Sequence, residues 1–226
     1  MSRECGFDYP KGIGCWFGNF ASLCFLIVYI PQFYLNWKRK SVKGLSLNSI
    51  GIKLIGSSFL FINSVFKGNA FPIFLYGFLN TLQHIGFIFQ FYYYDHNKRC
   101  LLFCFVPLIP YLICKLFPFL IPYTDLIKPF CQIFSHIPQL FQCIHLHTTN
   151  GISMIGQHLN FLGCIFGFCM CSILDILDLK TWLIYFNSGF QAITIYMLAF
   201  WYHEMRLFDH KIKYRSPIED HFYEQL

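Results

Sequence analysis

One segment of this chain occurs twice. Ile30-Pro31-Gln32 returns 107 positions later as Ile137-Pro138-Gln139, and the same offset carries Gly44 to Gly151, Ser46 to Ser153 and Gly56 to Gly163. Further along, Asn80-Thr81 falls on Asn187-Ser188. A fixed period without gaps marks a tandem repeat, so the two copies are expected to build one kind of unit twice. Each copy sets a proline and a glutamine just inside the end of an apolar run. In the first copy the run breaks into Lys38, Arg39, Lys40 and Lys43 before Gly44-Leu45-Ser46.

The apolar runs fix the solvent. Hydrophobic residues make up 56% of the chain and charged ones 12%, about half the charged share of a soluble domain. A bilayer core about 30 Å thick takes roughly 20 residues per helix. Seven runs qualify: Gly14–Leu35, Leu45–Phe66, Ala70–Tyr93, Leu101–Leu120, Asp125–Ile144, Ile152–Leu174 and Thr181–Tyr202. Pro107, Pro110 and Pro118 interrupt the fourth, which must be kinked and shielded by its neighbours. The offset maps the first three runs onto the last three and leaves the fourth without a mate. The expected fold is an all-α membrane protein of seven transmembrane helices, two parallel three-helix repeats joined by a linker helix. Its parts are an N-terminal segment (1–13), repeat one (14–94), the linker helix (95–120), repeat two (121–202) and a tail (203–226). The first run is too long for a signal-peptide core. The eleven cysteines lie mostly in apolar runs, where cysteine packs as a small hydrophobe.

Lysine and arginine set the orientation. Lys38, Arg39, Lys40, Lys43, Lys98, Arg99, Arg206, Lys211, Lys213 and Arg215 fall on one side. Arg3, Lys11, Lys67 and Lys180 fall on the other, with Lys115 and Lys128 buried near it. The N-terminus is expected to be lumenal and the tail cytosolic.

Pro-Gln near a helix end, the turn Lys40-Ser41-Val42-Lys43-Gly44-Leu45-Ser46 and the duplication of the pattern resemble the PQ-loop repeat membrane proteins over residues 14–202. The first motif, through Asn36-Trp37-Lys38, looks most like the cystinosin branch, the lysosomal cystine transporters. The resemblance implies a transporter of a small polar solute, an amino acid or derivative. It would move its solute from a lysosomal or vacuolar lumen to the cytosol by alternating access. Relatives that handle lipid, in dolichol-linked sugar use or lipid flipping, and non-transporting receptors give the alternatives. Proton-coupling carboxylates of the family are matched here by Asn48 and Asn160, which hold no proton.

Lys53 stands eight residues past Leu45, about 12 Å along a helix. An ionised lysine at that depth costs about 3 kcal/mol and should face a partner, an interior or water. Its repeat mate is Asn160. With Asn80, Asn187, Gln83, His84 and Gln191, these two form the expected substrate path; interhelical glue is the competing role for the amides. His84 is the candidate for proton linkage. Pro31 and Pro138 each free a carbonyl four residues back, on Ile27 and Phe134, and are expected to act as hinges or as static kinks. Gln32 and Gln139 beside them would rebond that backbone or line the path. His145, His147 and His158 lack the spacing and companions of a metal site. Asp175 and Asp178 read as solvated turn charges. Tyr223-Glu224-Gln225-Leu226 has the form that clathrin adaptors read, so an adaptor partner and lysosomal sorting through Tyr223 and Leu226 are expected. No nucleophile–base pair, carboxylate pair or phosphate loop points to an enzyme, and no cofactor or nucleic-acid partner is expected. The partners are the solute and the bilayer.

Overall fold

A computed structural model describes residues 11–68, 71–96, 98, 100–175, 179–205 and 207, with the side chains of residues 11, 71–73 and 180 left aside. Arg3, Arg99, Arg206, Asp178, the tail lysines and arginines, and Tyr223 and Leu226 lie outside the described residues. The described fold is all-α: α1 (Lys11–Ile27), α2 (Ile30–Arg39), α3 (Leu47–Lys67), α4 (Phe71–Asp95), α5 (Cys100–Phe103), α6 (Leu108–Leu116), α7 (Ile121–Thr124), α8 (Ile127–His145), α9 (Met154–Ile173) and α10 (Leu179–Trp201). A short 3-10 turn at Pro118–Leu120 precedes α7.

Among the described residues, four segments are long and apolar enough to cross a membrane: Gly12–Arg39, Leu47–Lys67, Met154–Ile173 and Thr181–Trp201. A fifth arises if Cys100–Leu116 and Pro118–Thr124, which meet at 107°, count as one broken span. The chain is thus a multi-pass membrane protein. Prolines explain the broken span. Pro107 caps α6 and Pro118 opens the 3-10 turn, places where a missing N–H costs least. The third and fifth runs, α4 and α8, are diluted by buried polar groups: Asn80, Thr81 and His84 on one, Lys128, Ser135, His136 and Gln139 on the other.

The two halves interlock rather than stand side by side. α3 packs along α8 as well as α4, and α9 packs along α1 as well as α10. Small residues allow both crossings. A Cβ on Gly56 would lie 2.8 Å from Cys131 Cβ, and one on Gly163 would lie 3.2 Å from Cys24 Cβ. Gly56 and Gly163 are repeat mates, as are Cys24 and Cys131, so one contact is made twice about a pseudo-twofold axis. Each half also has its own hydrophobic cluster beneath its motif loop. One holds Val42, Leu45, Ile50, Phe87 and Ile88; the other holds Cys143, Ile152, Met154, Ile195 and Ala199. The exposed surface carries Trp16 toward one end and Trp37 and Trp201 toward the other, as interfacial aromatic belts do.

Within the first half, α3 and α4 meet at Gly77, where a Cβ would come within 2.9 Å of Phe61 Cα and 3.0 Å of Phe61 N. Backbone cannot swing aside as a side chain can. Gly77→Ala is expected to destabilise the protein by about 1–3 kcal/mol, read as a lowered unfolding temperature in lipid nanodiscs.

Candidate functional site

The repeated Pro-Gln motifs hold each other across the axis. Gln32 Nε2 donates to Gly151 O at 2.9 Å, and Gln32 Oε1 accepts from Ser153 N at 2.7 Å. In mirror fashion, Gln139 Nε2 donates to Gly44 O at 2.8 Å and Gln139 Oε1 accepts from Ser46 N at 3.0 Å. Each primary amide thus reads one carbonyl and one N–H of the other half's Gly-x-Ser, which is what its donor–acceptor pair suits. The two serines also cap helices, Ser46 accepting from Ser49 N and Ser153 from Gly156 N. The loops touch through their glycines. A Cβ on Gly44 would lie 2.5 Å from Gly151 Cα, and Gly44 itself has φ +98°.

Further bonds brace the clamp from both sides. Gln32 also donates to Asn36 Oδ1 at 2.9 Å, and the fully buried Asn36 donates to Gln90 Oε1 at 2.7 Å. On the second half, Cys143 replaces Asn36 as the acceptor from Gln139 at 3.6 Å. The Glu204 carboxylate accepts from Thr148 Oγ1, Thr149 N, Thr149 Oγ1 and Asn150 Nδ2, tying the second motif loop to the end of α10. Arg39 reaches over to Asn150 O at 3.1 Å.

Behind the clamp, between the halves, lies a cavity of about 100 Å³. Gln32 and Gln139 line its clamped end with Ser153, and Lys53, Lys128, Tyr29, Tyr76, Gln132, His136, Gln157, Asn160, Ser188 and Gln191 supply its other polar lining. Lys53 Nζ lies 5.7 Å from the Tyr29 ring centroid, a cation–π distance. Lys128 Nζ donates to Asn80 Oδ1 at 3.2 Å. Asn160 Nδ2 donates to Ser188 O at 3.1 Å, and Gln191 Nε2 to Gln132 O at 2.7 Å.

Of the residues expected on the path, Lys53, Asn160 and Gln191 line this cavity. The other four stand behind its wall. Asn80 holds Lys128 from outside. His84 is fully buried against Tyr29 and Phe87, its Nδ1 2.6 Å from Asn80 O. Gln83 Nε2 donates to Leu26 O at 2.8 Å, beside the helix break that Pro31 imposes. Asn187 is buried, with its amide nitrogen lacking a partner. The prolines differ: the helix breaks at Val28-Tyr29 ahead of Pro31, whereas α8 runs unbroken through Pro138. Neither glutamine rebonds the freed carbonyls; both cross to the opposite loop.

Lys128, His136, Gln132 and Tyr29 are lining residues beyond the expected set. The offset held a signal for three of them, since Tyr29 is the mate of His136 and Phe25, also in the wall, is the mate of Gln132. Lys115 is exposed, 5.7 Å from the Tyr111 ring centroid. Lys128, by contrast, is buried halfway along α3: a Cβ on Gly56 would lie 3.5 Å from its Cα.

A known protein and a family model each match part of the chain. A stretch of 92 residues is 27% identical to "Vacuolar histidine transporter YPQ3" of Saccharomyces cerevisiae, covering 41% of this chain and 31% of that protein. The match therefore spans under a third of the relative's length. The family model described as PQ loop repeat matches residues 13–73, which contain Pro31-Gln32, Gly44, Ser46 and Lys53. Over that stretch the chain is similar to the PQ-loop repeat family.

Proposed function

We propose that the protein transports a small polar solute, an amino acid or derivative, from a lysosomal or vacuolar lumen to the cytosol by alternating access. The observation that carries this reading is the polar cavity between two like halves, closed at one end by bonds each half makes to the other. A gate built from matched amides opens without leaving either half's core, because each hydrophobic cluster stays within its own half. Similarity over residues 13–73 and to a vacuolar histidine transporter supports the solute class and compartment. The size and polarity of the cavity suit a small solute better than a lipid chain.

In this reading the clamp faces the cytosol, the side on which Lys38, Arg39, Lys40, Lys43 and Lys98 fall. Gln32 and Gln139 form the gate, and Pro31 is the flex point beside it. Tyr223 and Leu226 direct the protein to its membrane through a clathrin adaptor.

Counterflow into proteoliposomes of the full chain, run with a panel of labelled amino acids at two external pH values, tests the proposal. At least one amino acid is expected to exchange saturably. Lys53→Met is expected to lower that exchange by roughly a hundredfold, as loss of a buried charged contact does. Full exchange in Lys53→Met would remove Lys53 from the path, and binding without exchange would make the protein a receptor.

A further inference from the structure

We propose that the cavity takes an acidic amino acid, its two carboxylates held by the ammonium groups of Lys53 and Lys128. This rests on reading the cavity as a transport path and names the solute for it.

Lys53 rises from α3 and Lys128 from α8, and both line the one cavity. Among the described residues, no aspartate or glutamate lines it. Two carboxylates in the described structure are engaged elsewhere: Asp125 with Lys67 and Asn63, and Glu204 with residues 148–150. Lys128 leans on a neutral acceptor, Asn80 Oδ1, and Lys53 on the face of Tyr29. Two like charges taken out of water oppose each other as well as losing hydration, and a bound anion offsets both. With none built into the wall, that charge arrives with the solute. A single carboxylate would answer one ammonium and leave the other uncompensated, so the solute carries two.

The third group is legible too. Gln132 lines the cavity, its Nε2 donating to Ser188 Oγ at 3.0 Å, while its Oε1 is buried without a hydrogen-bond partner. A buried carbonyl oxygen left over is an acceptor for an ammonium. Two lysines for two carboxylates and one amide oxygen for an α-ammonium match an acidic amino acid group for group. A cationic side chain would instead meet Lys53, Lys128 and the imidazole of His136, which also lines the wall and contacts Thr194.

Full-length protein in proteoliposomes, assayed with labelled L-glutamate, L-glutamine, L-lysine and L-histidine and with succinate as competitor, decides the matter. L-glutamate is expected to exchange, succinate to compete, and lysine and histidine to do neither. Lys53→Met and Lys128→Met should each raise the half-saturating glutamate concentration by about tenfold or more and shift preference toward L-glutamine. Lys53→Arg, which keeps the charge, should retain the preference for glutamate. The glutamate-to-glutamine ratio is read within each variant, so poor folding alone does not move it. Exchange of lysine or histidine without glutamate overturns this assignment and leaves the transport reading standing. An unchanged ratio in both methionine variants overturns it as well. Exchange of none of the four also overturns this assignment, and the transport reading itself falls if no amino acid of the wider panel exchanges either.

Discussion

Gly151→Ala is expected to leave little folded protein. The added methyl would sit 2.4 Å from Gly44 Cα and 2.5 Å from Lys43 O. Both obstacles are backbone, and both are pinned, because Gly44 O accepts from Gln139 and the following cluster buries Val42 and Leu45. Relief requires the two loops to part, which stretches all four crossed amide bonds together. The cost is about 3 kcal/mol or more, the upper range for overpacking. Gly44→Ala should be worse, since φ +98° adds backbone strain to a 2.5 Å contact with Gly151 Cα. Gly68 supplies the control: it has φ +61° and no neighbour within 4 Å. Gly68→Ala should lose only the conformational term, about 1–2 kcal/mol. The ranking Gly44, Gly151, Gly68 is to be read from the yield of monodisperse protein and its unfolding temperature. Equal loss at all three would show that the loops do not meet as described.

The second large effect belongs to the clamp amides. Gln32→Leu removes the bonds to Gly151 O, Ser153 N and Asn36, and Gln139→Leu removes those to Gly44 O and Ser46 N. At about 1–1.5 kcal/mol per buried bond, the two crossed bonds lost in each variant take about 2–3 kcal/mol from the sealed state. If the seal must open during transport, that loss favours the open state, and solute on the clamp side should gain access. The two variants are expected to behave alike, because their bonds are mirrored, and to combine non-additively, because both act on one glycine contact. Unfolding temperature, together with counterflow measured from each face of oriented vesicles, checks this. A variant that lowers stability but leaves access from both faces unchanged would make the clamp a structural strut.

The repeat was legible in the sequence because it rests on identity at fixed spacing, and spacing survives translation into helices. Lys53 and Asn160 are mates, and the fold puts both on one cavity. The exchange of partners was not legible. Nothing local tells Gln32 to bond a loop 119 positions away in preference to the carbonyl its neighbouring proline frees. Lys128 escaped for a related reason. Counted along the chain it stands at the start of a run and reads as near a membrane face. The 107° bend between Cys100–Leu116 and Pro118–Thr124 instead delivers α8 beside the middle of α3. Proline content announced a break there, but the direction of a bend depends on packing. Asn80 and His84 were polar and duplicated in position, yet they face Lys128 and Tyr29 from behind, because a helix has one side toward the cavity and they lie off it.

Hydrogen–deuterium exchange at the amides of Ser46 and Ser153, with the full chain in lipid nanodiscs, reaches the crossed clamp most directly. Both N–H groups are expected to exchange far more slowly than the exposed Lys43 nearby, and at similar rates. Both should lose protection together in Gln32→Leu, although only Ser153 touches that side chain. Exchange of Ser46 and Ser153 as fast as Lys43 in the unaltered protein would contradict the account.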